Sequence, residues 1–130
     1  MSISYSVTVE KFAESHYIKK FEKKHKDFWP ITLDGIKQQL KRFDEFLKTT
    51  ILEEINSFDN LAVFKMEFRV AGTACSRKSS GNRCILSLDK KTGEIKVLLV
   101  YHKFYIDNRN ETSSWKKIIR ENYNDYSFCK

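Results

Sequence analysis

Cys84-Ile85-Leu86-Ser87-Leu88, then Asp89-Lys90-Lys91-Thr92-Gly93-Glu94, then Ile95-Lys96-Val97-Leu98-Leu99-Val100-Tyr101: two β-rich apolar runs flank a short polar segment, and their reading decides the fold class. Asp and Gly suit the segment to a tight hairpin turn, one by hydrogen-bonding nearby backbone and the other by tolerating positive φ. Upstream, Leu61 to Ala71 sets Val63, Lys65, Glu67 and Arg69 against Phe64, Met66, Phe68 and Val70, the two-residue period of a strand with one apolar face. Three antiparallel strands in a meander are therefore expected, preceded by a loop over residues 56–60.

Further out the period changes. Ile3, Tyr5, Val7 and Val9 alternate with Ser4, Ser6 and Thr8, which predicts a first strand. Ser15 is placed to cap a helix with Tyr17, Ile18, Phe21 and His25 on one face and Lys19, Lys20, Lys23 and Lys24 outside. Pro30 disfavours helical geometry at Trp29, so Thr32 is expected to cap a second helix. Ile36, Leu40, Phe43, Leu47, Ile51 and Ile55 keep helical spacing, which extends that helix for about six turns. Beyond the last strand, Thr112 or Ser113 can cap a closing helix that carries Trp115, Ile118, Ile119 and Tyr123 on one side. The sum is an α+β fold of order β-α-α-β-β-β-α, an antiparallel sheet packed against a helical hairpin, in one domain spanning residues 1–130.

Composition agrees with a packed globule. Of 130 residues 41% are hydrophobic and 14% aromatic, with a single Pro. Most of the formal net charge of +7 lies between Lys65 and Lys103, where nine Lys or Arg face three acids. Such a footprint attracts polyanions and points to nucleic acid or an acidic protein. The lysines of the first helix also fit a plain solvated face. Cys75, Cys84 and Cys129 are odd in number and lack C-x-x-C spacing, so neither a disulfide framework nor a zinc site is indicated and a reducing cytoplasm is expected. The first residues lack a basic and apolar leader pattern, and no run is long enough to span a bilayer.

The chemistry gathers in two places. Arg77-Lys78-Ser79-Ser80-Gly81-Asn82-Arg83 sets cations around a Gly/Ser turn that feeds a strand, an arrangement able to present charge to a phosphate. Tyr101-His102-Lys103-Phe104-Tyr105 adds an imidazole, an ammonium and two phenols where the last strand ends. The Lys78 to Leu86 segment, together with the order of elements, resembles the RelE/ParE toxin superfamily. Its members are small toxins of toxin–antitoxin pairs, several of them ribosome-dependent endoribonucleases with a serine-glycine turn, an arginine opening a central strand, and basic and aromatic residues after the last strand. Tyr101-His102 resembles the tyrosine-histidine pair of the YoeB-type branch.

The resemblance implies a toxin that cleaves mRNA in the ribosomal A site without metal or other cofactor, its partners being RNA and a cognate antitoxin. Arg83 takes the place of the arginine that contacts the scissile phosphate, a role a guanidinium suits because its planar fork gives two charge-assisted hydrogen bonds. In metal-free cleavage the neighbouring 2′-hydroxyl attacks phosphorus, a base takes its proton and the leaving 5′-oxygen gains one. His102 is the acid or base candidate, Glu67 the second carboxylate candidate and Lys103 the phosphate grip. Arg69, Arg77, Lys78, Tyr101 and Tyr105 are expected to bind substrate, the tyrosines by stacking on a splayed base or donating to phosphate. Strand alternation separates Tyr101, Lys103 and Tyr105 from His102 unless a bulge re-aims them. Ala74-Cys75-Ser76 stands where some relatives carry two further lysines, a departure that Arg77 and Lys78 can offset.

The residues alone also admit plainer roles: Arg83 paired with a carboxylate such as Glu67, His102 satisfied by local hydrogen bonds, either tyrosine in the core. Two other functions fit the composition, a ParE-like toxin that inhibits DNA gyrase without a nuclease site, and a non-catalytic RNA-binding module. Residue spacings for a metal cluster, a Gly-rich nucleotide loop or a Ser-His-Asp arrangement are absent from the sequence, which disfavours other hydrolases and nucleotide enzymes.

Overall fold

Strand Asn82–Asp89 (β4) is the middle strand of the sheet in the computed structural model, which describes residues 4–106 and 108–130, and its side chains from 82 to 88 are all buried. Leu52–Phe58 (β2), Leu61–Phe68 (β3), β4 and Glu94–His102 (β5) pair antiparallel in sequence order. Ser6–Val9 (β1) lies parallel to β5 on the far edge, giving the spatial order β1-β5-β4-β3-β2. The fold is α+β, a five-stranded, mostly antiparallel sheet with helices packed against it, in the order β-α-α-α-β-β-β-β-α. Among the described residues no helix is long and apolar enough to cross a membrane.

The turn between β4 and β5 forms as its residues require. Asp89 Oδ1 accepts from the Lys91 and Thr92 backbone N–H groups at 2.9 and 3.3 Å, and Gly93 takes a φ of 77° that a side chain would resist. Within β5 the register slips: Leu86 faces Val97 while Ile85 faces Leu99, so Leu98 is an extra, unpaired residue. Both Leu98 and Leu99 consequently pack on one side of the sheet.

Each side of the sheet has its own core. A helical stretch over residues 11–25, with a π-helical turn at Glu14–Ile18, buries Ala13, Ile18 and Phe21. It packs with a second helix, Phe28–Lys41, whose Trp29, Ile36 and Leu40 are buried, and a short third helix, Phe43–Leu47, that buries Phe43. These meet Phe64, Met66, Leu86 and Val97 on the hairpin face. The closing helix, Glu111–Asn122, sets Trp115 and Ile119 against Val63, Ile85, Leu99 and Tyr101 on the other face.

Four sequence expectations are corrected. The second helix ends at Lys41, and residues 52–58 form β2 in place of its last turns and of the loop expected at 56–60. Thr49, Thr50 and Ile51 form a β-branched run unfavourable to helix, and Thr49 Oγ1 turns the chain by donating to the Phe46 carbonyl and accepting from Ile51 N–H. The β2–β3 turn is short, with Asp59 at a left-handed φ of 58°. The first helix starts at Lys11 rather than at a Ser15 cap, because Glu10 N–H still bonds the Val97 carbonyl of β5 and its own carbonyl already accepts from Glu14 N–H. Thr32 lies inside its helix, donating to the Phe28 carbonyl at 2.7 Å and accepting from Ala71 N–H at 2.9 Å; Pro30 sits in the first turn, where its missing N–H costs nothing. The closing helix begins at Glu111 with Asn110 at the cap position, not at Thr112 or Ser113, and the Glu111 side chain is tied to the sheet. Ile3 of the expected first strand lies outside the described residues.

Candidate nucleic-acid interface

Ser76 to Gly81 folds into a turn held by its own hydroxyls. Ser76 and Ser79 share a hydroxyl contact of 2.8 Å and each accepts from the other's backbone N–H, while Ser80 N–H reaches the Ser76 carbonyl at 2.9 Å. The Ser80 hydroxyl sits 2.7 and 2.6 Å from the Phe68 and Arg77 carbonyls and accepts from Asn82 N–H. Gly81 ends the turn at φ 79°, and a Cβ there would stand 2.7 Å from His102 Nε2. The turn is thus clamped to β3 on one side and to the end of β5 on the other, with Arg77 and Lys78 exposed at its tip.

Pairing across three strands sets two rows of side chains at this end of the sheet. Glu67, Arg83 and Tyr101 are directly opposite one another in β3, β4 and β5, on the closing-helix face. Arg83 is only 7% exposed. Its Nε lies 3.4 Å from Glu111 Oε2, within ion-pair range though outside hydrogen-bond geometry, and Nη1 donates to the Asn82 carbonyl at 3.2 Å. Tyr101 is fully buried and donates its hydroxyl to the same Glu111 oxygen at 2.7 Å. Burial first, and then the Glu111 carboxylate, push the Tyr101 phenol well above its usual range.

The second row, Phe68, Asn82 and His102, faces the helical hairpin. His102 Nδ1 accepts from Phe104 N–H at 3.1 Å, capping the single 3-10 turn Lys103–Tyr105, and the ring also makes a backbone hydrogen bond with Ser80. An Nδ1 that accepts is unprotonated, which fixes the neutral ring's proton on Nε2. The imidazole is held below its ordinary pKa, by burial above all and then by the cations Lys24, Lys103 and Arg83, against the opposing Ser80 bond. Around it stand aromatic groups in different states. Tyr105 packs edge-on to Phe21 beneath Lys20, whose ammonium is 4.9 Å from the ring centre. Phe104 is 67% exposed, 4.9 Å from the His102 ring and 5.4 Å from the Lys103 ammonium.

A third group lines a cleft of about 850 Å³ between the second helix, the end of β3 and the serine turn. Glu67, Arg69, Arg77 and Lys78 are among the residues at its border, and its apolar lining includes Ile36 and Phe68. The sequence-predicted residues therefore converge on one end of the sheet but not on one point. Arg83 and Tyr101 lie on one face, His102, Lys103 and Tyr105 at or beyond the edge of the other, and Glu67, Arg69, Arg77 and Lys78 in the adjoining cleft. The carboxylate beside Arg83 is Glu111 and not the cross-strand Glu67.

Sequence reasoning missed Glu111 and Phe104. An acid in a first helical turn is an ordinary dipole feature, so its reach to the sheet left no mark in the sequence. Phe104 stood among aromatic neighbours of which the tyrosines drew attention for their hydroxyls, whereas exposure singles out the phenylalanine. Among the described residues no group of His, Cys, Asp and Glu could hold a metal ion. Comparison of the chain with protein-family models, with curated proteins and with solved structures found no match.

Proposed function

We propose that this protein is an RNA-directed toxin of the RelE/ParE kind, an endoribonuclease that acts on mRNA, partnered by an antitoxin. The observation that carries the reading is the concentration of cations and an unburied aromatic ring at one end of the sheet: Arg77 and Lys78 on a rigid turn, Lys24 and Lys103 near His102, and Phe104 facing solvent. Flexible cations track a phosphate backbone and an exposed ring stacks on an unpaired base, the combination single strands need. A helical pair, a meander of β3 to β5 and a closing helix follow one another as in the element order on which the resemblance rests, with a third helix and β2 added between the pair and the meander.

In this reading the 2′-hydroxyl attacks phosphorus, a 2′,3′-cyclic phosphate forms and the 5′-oxygen departs. His102 Nδ1 is engaged with the Phe104 backbone, so charge stabilisation by Arg83 and Lys103 carries the scission rather than a strong general base. Phe104 takes the stacking role that Tyr101 is too buried to perform. A second reading, RNA binding without cleavage, is favoured by the ion pair that occupies Arg83.

The test is to add the protein to a translating extract and map new 5′ ends on a reporter mRNA. Arg83→Ala and Lys103→Ala are each expected to lower cleavage by about 10²–10³-fold, the loss typical of removing one oxyanion-stabilising group. Salt-sensitive binding with no new ends would establish the non-catalytic module. Growth arrest that survives both substitutions with rising DNA damage signalling would transfer the protein to the gyrase-inhibiting class.

A further inference from the structure

We propose that Glu111 is a positioning residue that clasps Arg83 in the free protein and that an RNA phosphate must replace, so that the closing helix sets the threshold for substrate entry. This rests on the RNA reading above. The guanidinium of Arg83 is nearly sealed, at 9% side-chain exposure, while the Glu111 side chain keeps 20%. The more accessible partner is the acid, on the first residue of a helix rather than in the sheet. Its Oε2 receives the Tyr101 hydroxyl at 2.7 Å and lies 3.4 Å from Arg83 Nε, an N–H that has no hydrogen-bond acceptor. A carboxylate so placed presents to the guanidinium the charge and oxygen geometry of a phosphate edge without completing the hydrogen bond. A phosphate entering from solvent can satisfy the Nε–H that Glu111 leaves unmet. Tyr101 governs how firmly the acid stays, because its buried phenol has Glu111 as acceptor.

The clasp makes predictions that a purely structural ion pair does not. Affinity for a short fluorescein-labelled single-stranded RNA is measured over a salt series for wild type, Glu111→Gln, Tyr101→Phe and the double variant Arg83→Gln/Glu111→Gln, with the Arg83 ¹⁵Nε–¹H resonance followed in each. Glu111→Gln is expected to bind about tenfold more tightly, as a buried charge freed of its partner gains on an incoming phosphate. Its log affinity against log salt should steepen by about 0.7, one added phosphate contact on a single strand. The Arg83 resonance should shift on RNA addition, and the double variant should lose the whole gain. Tyr101→Phe, which keeps the carboxylate and removes only its tether, should show a smaller gain in the same direction and covers the case in which Glu111→Gln fails to fold. Equal RNA affinity and salt slope in wild type and the folded variants, with an unmoved Arg83 resonance, would overturn the clasp while leaving RNA recognition standing. Absence of RNA binding in every protein would remove both.

Discussion

The two faces of the sheet bury similar aromatic cores and treat their polar groups in opposite ways. Each holds a fully buried tryptophan, Trp29 under the helical pair and Trp115 under the closing helix, whose Nε1–H lacks an acceptor. At the end of the sheet beside the serine turn, however, the closing-helix face satisfies its phenol with a side-chain carboxylate that also pairs with a guanidinium, whereas on the hairpin face the imidazole Nδ1 is satisfied by a main-chain N–H. A side-chain partner can be exchanged for a ligand without unfolding anything. A main-chain partner cannot, so the first face is the adaptable one and the second is framework.

The comparison can be broken in steps. Trp115→Ala should cost about 3–5 kcal/mol in urea unfolding, as for other buried tryptophans, and Trp29→Ala a similar amount; a cost near zero for Trp115 would mean the closing helix is not needed for the fold. Arg83→Gln should cost about 2–3 kcal/mol, since Glu111 and its bound phenol lose their cation. Gly81→Ala follows at about 1–2 kcal/mol, from its left-handed φ and the approach to His102, and a crystal structure of the variant should find the imidazole displaced. His102→Gln should act mainly on pH dependence. The folded imidazole titrates below its ordinary value, so the unfolded chain binds the proton first and stability falls as pH drops from about 6.5 through the folded pKa. Thermal unfolding between pH 7.5 and 5 should show a shallower decline in the variant. Phe104→Ala should leave stability unchanged within about 0.5 kcal/mol while weakening RNA binding by about 1–3 kcal/mol, the usual worth of one stacked base.

Much of this architecture was legible in the sequence because patterning and turn chemistry agreed. The hairpin around Asp89 to Glu94, the alternation from Leu61 and the apolar stripe of the closing helix all reappear in the fold. The stretch after Lys41 misled for a physical reason: Ile51 and Ile55 sit at helical spacing from Leu47, yet Leu52 is the residue whose burial counts, and β-branched neighbours favour extension. At the site, the convergence of Arg77, Lys78, Arg83 and His102 on one sheet end was legible from strand order. What partner each would take was not, because Glu111 is remote in sequence from Arg83 and only the docking of the helix joins them.

A single inserted amino acid, Leu98, sets the phase of everything downstream in its strand. Upstream, odd-numbered side chains such as Val97 look toward the helical pair; past the insertion that direction belongs to Val100 and His102. Straightening the strand with both leucines kept would therefore transpose phenol and imidazole, delivering each to the environment built for the other.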